Sequence, residues 1–217
     1  MKFIESGTVI DLPIHHLYIA GWTGRSHTAV QHHIDELAAI GIAPPTQIPL
    51  YYRVSNALLT QDDIIEVLGD DTSGEVEPLL IQKDGKIWIG LASDHTDRKM
   101  EAYSVAASKQ VCLKPTAREL WRFDEIEDDI DSLMLRCSIY ENSEWVDYQY
   151  GDLSNILPLT DLMMRSGFGN NSAMLCGTLA AVGGVRPAGK YRMKLEDPKR
   201  NRHITMEYSI RTLPIVS

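Results

Sequence analysis

The chain has 217 residues, 44% of them hydrophobic, enough for one well-packed domain and short for two. A net charge of -9 and a pI near 5.2 exclude a basic nucleic-acid stripe and disfavour an anionic membrane as partner. Three cysteines, Cys112, Cys137 and Cys176, form no C-x-x-C and leave an odd count, which argues against a disulfide framework and a zinc site. With an early acid at Glu5 and no long apolar run, neither a signal peptide nor a spanning helix is expected, and the compartment is read as cytoplasmic.

Residues 8 to 20 alternate loosely and end in apolar Leu17-Tyr-Ile-Ala20, a strand delivering the loop Gly21-Trp-Thr-Gly-Arg25. Val30, Ile34, Leu37 and Ala38 follow helical spacing, which predicts a helix from about His27 to Ile40, stopped by Gly41 and Pro44-Pro45. Residues 48 to 59 read as strand and turn. A hairpin follows around Asp84-Gly85, because a type I′ turn needs positive φ at both central residues and Asp-Gly supplies it.

Counting outward from Asp84-Gly85 pairs Lys83 with Lys86, Glu77 with Ala92 and Glu75 with Asp94. Side chains alternate with period 2, so Glu75, Glu77 and Asp94 share one face, together with Leu79 and Ile81, while Val76 and Leu80 take the other. Like charges in such a place resist ionisation unless a cation neutralises them, and oxygen-only ligands suit Mg²⁺, Mn²⁺ or Ca²⁺ better than zinc. A bare E-x-E would be read as a solvated acidic hairpin end; the register with Asp94 favours a metal site. Pro78 cannot donate to a ladder, so an edge position or a bulge is expected there.

Downstream, a charged helix is expected over Thr116 to Asp131, with Thr116 as N-cap and Glu119 in the capping-box position. A hairpin around Glu141-Asn-Ser-Glu144, a helix near Asn155 to Arg165 interrupted by Pro158, and three further strands complete the chain. Strands outnumber helices without alternating with them, which points to a β-rich α+β fold. The basic cluster Lys199-Arg200-Asn-Arg202 reads as a solvated turn between strands.

Several side chains could carry chemistry. His33 and Glu36 lie three apart on the first helix, where a carboxylate raises the basicity of an imidazole, although His32 with Glu36 is an equally good pair and an exposed polar face is the simpler alternative. Lys109 follows Ala106-Ala-Ser108 and could reach over the hairpin toward an oxyanion. Arg25 and Arg98 could each hold a carboxylate, or pair with a nearby acid, Asp97 being the obvious competitor. Gly177-Thr178 could present an N–H and a hydroxyl to an anion.

In order along the chain, these pieces resemble the fumarylacetoacetate hydrolase superfamily. The family pattern H-x-x-E, E-x-E, N-D-x-S-x-R-D, Lys and T-G-T-P appears here as His33-Ile-Asp-Glu36, Glu75-Val-Glu77, Ser93-Asp-His-Thr-Asp-Arg98, Lys109 and Cys176-Gly-Thr-Leu179. Tyr52-Arg-Val-Ser-Asn-Ala-Leu58 and Tyr148-Gln149-Tyr-Gly151 look like its F-x-K-P-P-S-A-L and R-Q-x-G segments. The likeness covers roughly residues 18 to 185.

That resemblance implies a single domain over residues 1–217, the family's mixed β-roll with a short lid helix near the N-terminus, and a homodimer. It implies Mg²⁺ or Mn²⁺ on Glu75, Glu77 and Asp94 (with Ca²⁺ able to take their place in crystals), a water-activating His33–Glu36 dyad, and Lys109 polarising the substrate. Arg25, Thr96, Arg98, Gly177 and Thr178 would contact substrate. The implied activity is hydrolysis of a C–C bond in a small 2-oxo acid or 1,3-dicarbonyl (acylpyruvate-like) compound through an enolate held by the metal. A lyase (decarboxylase or dehydratase) or an isomerase is the close alternative, and a metal-stabilised binding protein without catalysis a second. The chain departs from the pattern where Gln110-Val-Cys112 replaces Ser-Phe-Asp, where Leu179 replaces Pro, and where only sixteen residues separate Glu77 from Asp94.

Overall fold

The computed structural model describes residues 1–39 and 44–216. Its strands are β1 (Lys2–Glu5), β2 (Thr8–Asp11), β3 (His16–Gly21), β4 (Leu50–Val54), β5 (Leu59–Thr60), β6 (Ile64–Leu68), β7 (Thr72–Ser73), β8 (Val76–Lys83) and β9 (Lys86–Ser93). After them come β10 (Thr96–Asp97), β11 (Lys114–Pro115), β12 (Glu119–Arg122), β13 (Met134–Glu141), β14 (Glu144–Asp152), β15 (Ser172–Leu175), β16 (Lys190–Asp197) and β17 (Arg202–Leu213). Four α-helices, α1 (His27–Ala39), α2 (Arg98–Glu101), α3 (Val105–Gln110) and α4 (Leu159–Ser166), are interspersed with short 3₁₀ turns.

Two large mixed sheets dominate. One has eight strands in the order β2-β1-β12-β9-β8-β15-β3-β4, and the other five in the order β14-β13-β16-β17-β6. The β8–β9 hairpin forms in the expected register, with Lys83 opposite Lys86 and Glu77 opposite Ala92, and Asp84 and Gly85 both take positive φ, 50° and 76°. Alternation then splits the hairpin between two apolar clusters. Val76, Leu80, Ile89 and Leu91 pack toward the five-stranded sheet with Leu135, Ile139 and Met193, whereas Leu79, Ile81, Trp88 and Ala92 join Leu17, Ile19 and Leu175 on the other face. The acids share the second face.

Pro78 overturns one expectation. β8 is a central strand between β9 and β15, and its ladder to β9 runs past Pro78, opposite Leu91, without a register shift. The ladder to β15 stops at Leu79, so the missing N–H falls just beyond the pairing.

The charged helix expected over Thr116 to Asp131 is absent. Leu120 and Trp121 are apolar positions of an extended segment, with β12 pairing both β9 and β1, and the run that follows, opening on buried Phe123, winds only into 3₁₀ turns at Phe123–Glu125 and Glu127–Ser132. Thr116 caps nothing; its hydroxyl donates to the Leu91 carbonyl at 3.0 Å. The later helix starts after Pro158 rather than being interrupted by it, and Gly167 ends it at φ +75°.

Helix α1 matches its expected span to Ala39; Ile40 lies outside the described residues. Val30 and Ile34 are buried as the spacing demands, whereas Ala38 is exposed. The basic cluster is a turn, but a paired one: Arg200 and Arg202 lie 3.3 Å and 3.1 Å from the carboxylate of buried Asp197.

Candidate metal centre and active site

The open end of the β8–β9 hairpin gathers the site. Glu75 immediately precedes β8, Glu77 is its second residue and Asp94 immediately follows β9; ligand oxygens of all three lie within 4.8 Å of one another. The Asp94 N–H donates to the Glu75 carbonyl at 3.0 Å, which extends the ladder one pair beyond the strands and sets the two acids opposite each other. Glu77 and Asp94 are buried, at 2% and 0% exposure.

Each acid has its own surroundings. Glu77 accepts from the Gly177 N–H at 2.7 Å and has no ion-pair partner among the described residues; burial, then the charge of Asp94, pushes its carboxyl well above the usual range. Burial alone would raise Asp94 too, but Lys109 on Oδ2 and Lys114, 3.1 Å from Oδ1, hold it well below that range. Glu75 pairs with Arg98 at 3.1 Å.

The cations come from the segment after the hairpin. Asp97 accepts from the Met100 N–H at 2.8 Å and caps α2, so it does not compete for Arg98, which instead reaches Glu75, Glu101 at 2.9 Å and Ser73 Oγ at 2.6 Å. Lys109 projects from α3 with its ammonium 5.6 Å from the Tyr52 ring centroid, and despite burial its partner Asp94 keeps its pKa raised. Lys114 was not singled out in the sequence, where nothing distinguishes it from a surface lysine. It is fully buried on β11 and also donates to the His95 carbonyl.

His95 is enclosed as well, with Nε2 2.8 Å from Thr72 Oγ1 and Nδ1 3.1 Å from Tyr208 Oη. Burial, with Lys114 and Arg98 nearby, lowers its pKa to about 3.

The remaining residues expected to meet substrate are placed as follows. The Gly177 N–H is engaged by Glu77, and Thr178 Oγ1 donates to the Val76 carbonyl at 2.7 Å while accepting from Gln149 Nε2 at 2.8 Å. Thr96 is buried and turns its hydroxyl to the Asp94 carbonyl at 3.3 Å. Arg25 is committed to Asp131, at 2.6 Å and 2.7 Å, and to the Ile156 carbonyl at 2.8 Å. Arg25 and Thr178 nevertheless border one cleft of about 590 Å³, shared with Tyr150, Ser154 and Asn155. His33 and Glu36 lie on α1 by chain position; their side chains are outside the described residues.

Gln149 is a hub that the sequence exposed only as part of a motif. Its Oε1 accepts from the Val76 N–H at 2.9 Å and its Nε2 donates to Thr178 and to the Leu179 carbonyl, the latter at 2.6 Å. One buried amide thereby ties the strand carrying Glu77 to the loop carrying Gly177.

The donor set fits a hard divalent cation. Three carboxylates converge, burial and the charge of Asp94 make Glu77 resist ionisation, and Asp94 Oδ1 is buried with the Lys114 ammonium 3.1 Å away.

The mixed β-rich sheets have the fold of the fumarylacetoacetate hydrolase C-terminal domain type, as the structural neighbours show. A 2-keto-3-deoxyarabinonate dehydratase superimposes with a TM-score of 0.66 at 14% identity, covering 93% of this chain and 75% of that one. The same enzyme complexed with magnesium and 2,5-dioxopentanoate gives 0.64 at 14% identity, covering 95% and 75%. Cg1458 gives 0.61 at 12% identity, covering 93% and 78%. No curated protein matches the sequence. Residues 20–208 match the family described as "Protein of unknown function (DUF2848)", and the chain belongs to that family.

Proposed function

We propose that this chain is a Mg²⁺- or Mn²⁺-dependent enzyme acting on a small 2-oxo acid. The observation that carries the reading is the convergence of Glu75, Glu77 and Asp94 within 4.8 Å, with Lys109 bound to Asp94. It is supported by the fold shared with a dehydratase that holds magnesium and 2,5-dioxopentanoate. A divalent ion held by the three carboxylates would polarise the oxygens of a 2-oxo acid and favour its enolic form.

The protein's own groups supply the rest. Lys109, charged and already desolvated, offers a donor to an oxygen that gains negative charge. Arg98 holds Glu75 in place from outside the site. The cleft beside Thr178 offers room for the part of the substrate distal to its oxo acid group. In the hydrolytic version, His33 assisted by Glu36 takes a proton from water as the oxygen adds to a carbonyl. The C–C bond then breaks toward the 2-oxo acid, which is reprotonated at carbon, and a carboxylic acid leaves.

A second reading is dehydration of a 3-deoxy-2-oxo acid, which needs no activated water. It is supported by the fold shared with a 2-keto-3-deoxy-D-arabinonate dehydratase. A homodimer in the cytoplasm remains part of the proposal.

Acylpyruvates and 3-deoxy-2-oxo sugar acids, incubated with the protein and Mn²⁺ and followed by NMR, separate the readings. Hydrolysis yields pyruvate and a carboxylate, and His33→Ala should slow it by about 10²- to 10⁴-fold. Dehydration yields a dioxo acid and should survive that substitution. Bound Mn²⁺ with no turnover of any of them leaves a metal-stabilised binding protein.

A further inference from the structure

Asp94 carries two ammoniums where pairing one carboxylate requires one. Lys109 takes Oδ2, and Lys114 stands 3.1 Å from Oδ1 while donating to the His95 carbonyl. Lys109 comes from α3 and reaches the site beside Tyr52, whereas Lys114 comes from β11, which pairs in parallel with β5 at Leu59 and leaves the side chain at 0% exposure. Enclosing a second cation costs desolvation free energy that an apolar residue of similar length would not. Its ammonium lies 3.1 Å from Oδ1, close enough for its charge to act on that oxygen.

A fixed positive charge against a ligand oxygen opposes any cation that the same oxygen would help to hold. It also holds Asp94 in place without one. We propose that Lys114 is an affinity-setting residue of the metal centre, a built-in competitor for Asp94 that keeps the divalent ion loosely held and exchangeable. This rests on reading Glu75, Glu77 and Asp94 as metal ligands.

The test is Mn²⁺ calorimetry at fixed ionic strength on the wild-type chain, Lys114→Gln, Lys114→Met and Lys114→Arg. Gln keeps a donor for the His95 carbonyl, Met keeps length, and Arg keeps charge. Both neutral variants should bind Mn²⁺ at least about tenfold more tightly than wild type, and Lys114→Arg within about threefold of it. Where a neutral variant is too unstable for calorimetry, the rise of its melting temperature with Mn²⁺ should exceed that of wild type. Neutral variants that bind Mn²⁺ no more tightly than wild type, or gain no more in melting temperature, overturn the proposal while the metal centre stands. Absence of Mn²⁺ binding by wild type and by both neutral variants overturns the metal centre itself, and the proposal with it.

Discussion

Glu75 and Asp94 face each other one step beyond the hairpin strands, joined by the Asp94 N–H donating 3.0 Å to the Glu75 carbonyl. Nine backbone positions away along each strand, Asp84-Gly85 sets that pairing, because a shift of one residue would turn a strand's acids to the opposite face. Asp94 is paired with two buried ammoniums whereas Glu77 has no ion-pair partner among the described residues, so the two acids should respond oppositely to neutralisation. Asp94→Asn leaves Lys109 and Lys114 without their shared partner and should destabilise the metal-free protein by about 3–5 kcal/mol. Glu77→Gln removes a disfavoured charge and should leave its melting temperature unchanged or higher. Thermal denaturation of both variants in EDTA is the check; equal losses would contradict the charge assignment.

The pH dependence of stability follows from the same asymmetry. Burial holds the Glu77 carboxyl well above its ordinary value of 4.5 in the native state, so at rising pH the unfolded chain gives up this proton before the native one does. The metal-free protein therefore loses stability as pH climbs from about 4.5 through the native pKa of Glu77. Asp94 has the opposite sign, but its window lies below the usual carboxylate range. A divalent ion must displace the Glu77 proton, so the gain in melting temperature on adding Mn²⁺ should grow with pH over this window. A gain independent of pH would contradict it.

The legible parts of the chain are those specified locally. Asp84-Gly85 specifies a turn type, and period-2 counting carries that turn as far as three converging carboxylates and two core faces. The failures are tertiary. The region from Thr116 to Asp131 has helix-like caps and charges, yet Leu120 and Trp121 find sheet partners on β1 and β9 that no local pattern reveals. Lys114 looked like any lysine because its burial depends on β5, more than fifty residues earlier in the chain. Gly177 and Thr178 stand out in the sequence as candidate anion donors, but in the fold their donors serve Glu77 and the Val76 carbonyl, contacts that no local pattern reveals.

Gly177 adopts φ +99°, and a Cβ there would lie 1.7 Å from Thr23 Oγ1. Gly177→Ala should cost about 1–3 kcal/mol through overpacking alone, with the αL-side backbone strain in addition. Because the same residue donates to Glu77, Mn²⁺ affinity should fall as well. Chemical denaturation and a Mn²⁺ titration of the variant measure the two effects; a stable variant with unaltered affinity would contradict the close approach.

Gln149 should prove structural for the site without touching the acids. Gln149→Leu strips partners from the Val76 N–H and the Leu179 carbonyl, each left buried at a cost of about 1–3 kcal/mol. Urea unfolding should show that loss, and Glu75, Glu77 and Asp94 should still bind Mn²⁺, more weakly. Unchanged stability would mean that water replaces the amide.

A crystal structure with Mn²⁺ and oxalate, the latter standing in for the two oxygens of a 2-oxo acid, tests the metal centre most directly. The expected result is an anomalous peak bounded by carboxylate oxygens of Glu75, Glu77 and Asp94, with oxalate on its open side near Lys109. An empty triad, with Arg98 still on Glu75, Lys109 still on Asp94 and Mn²⁺ elsewhere or absent, would contradict it.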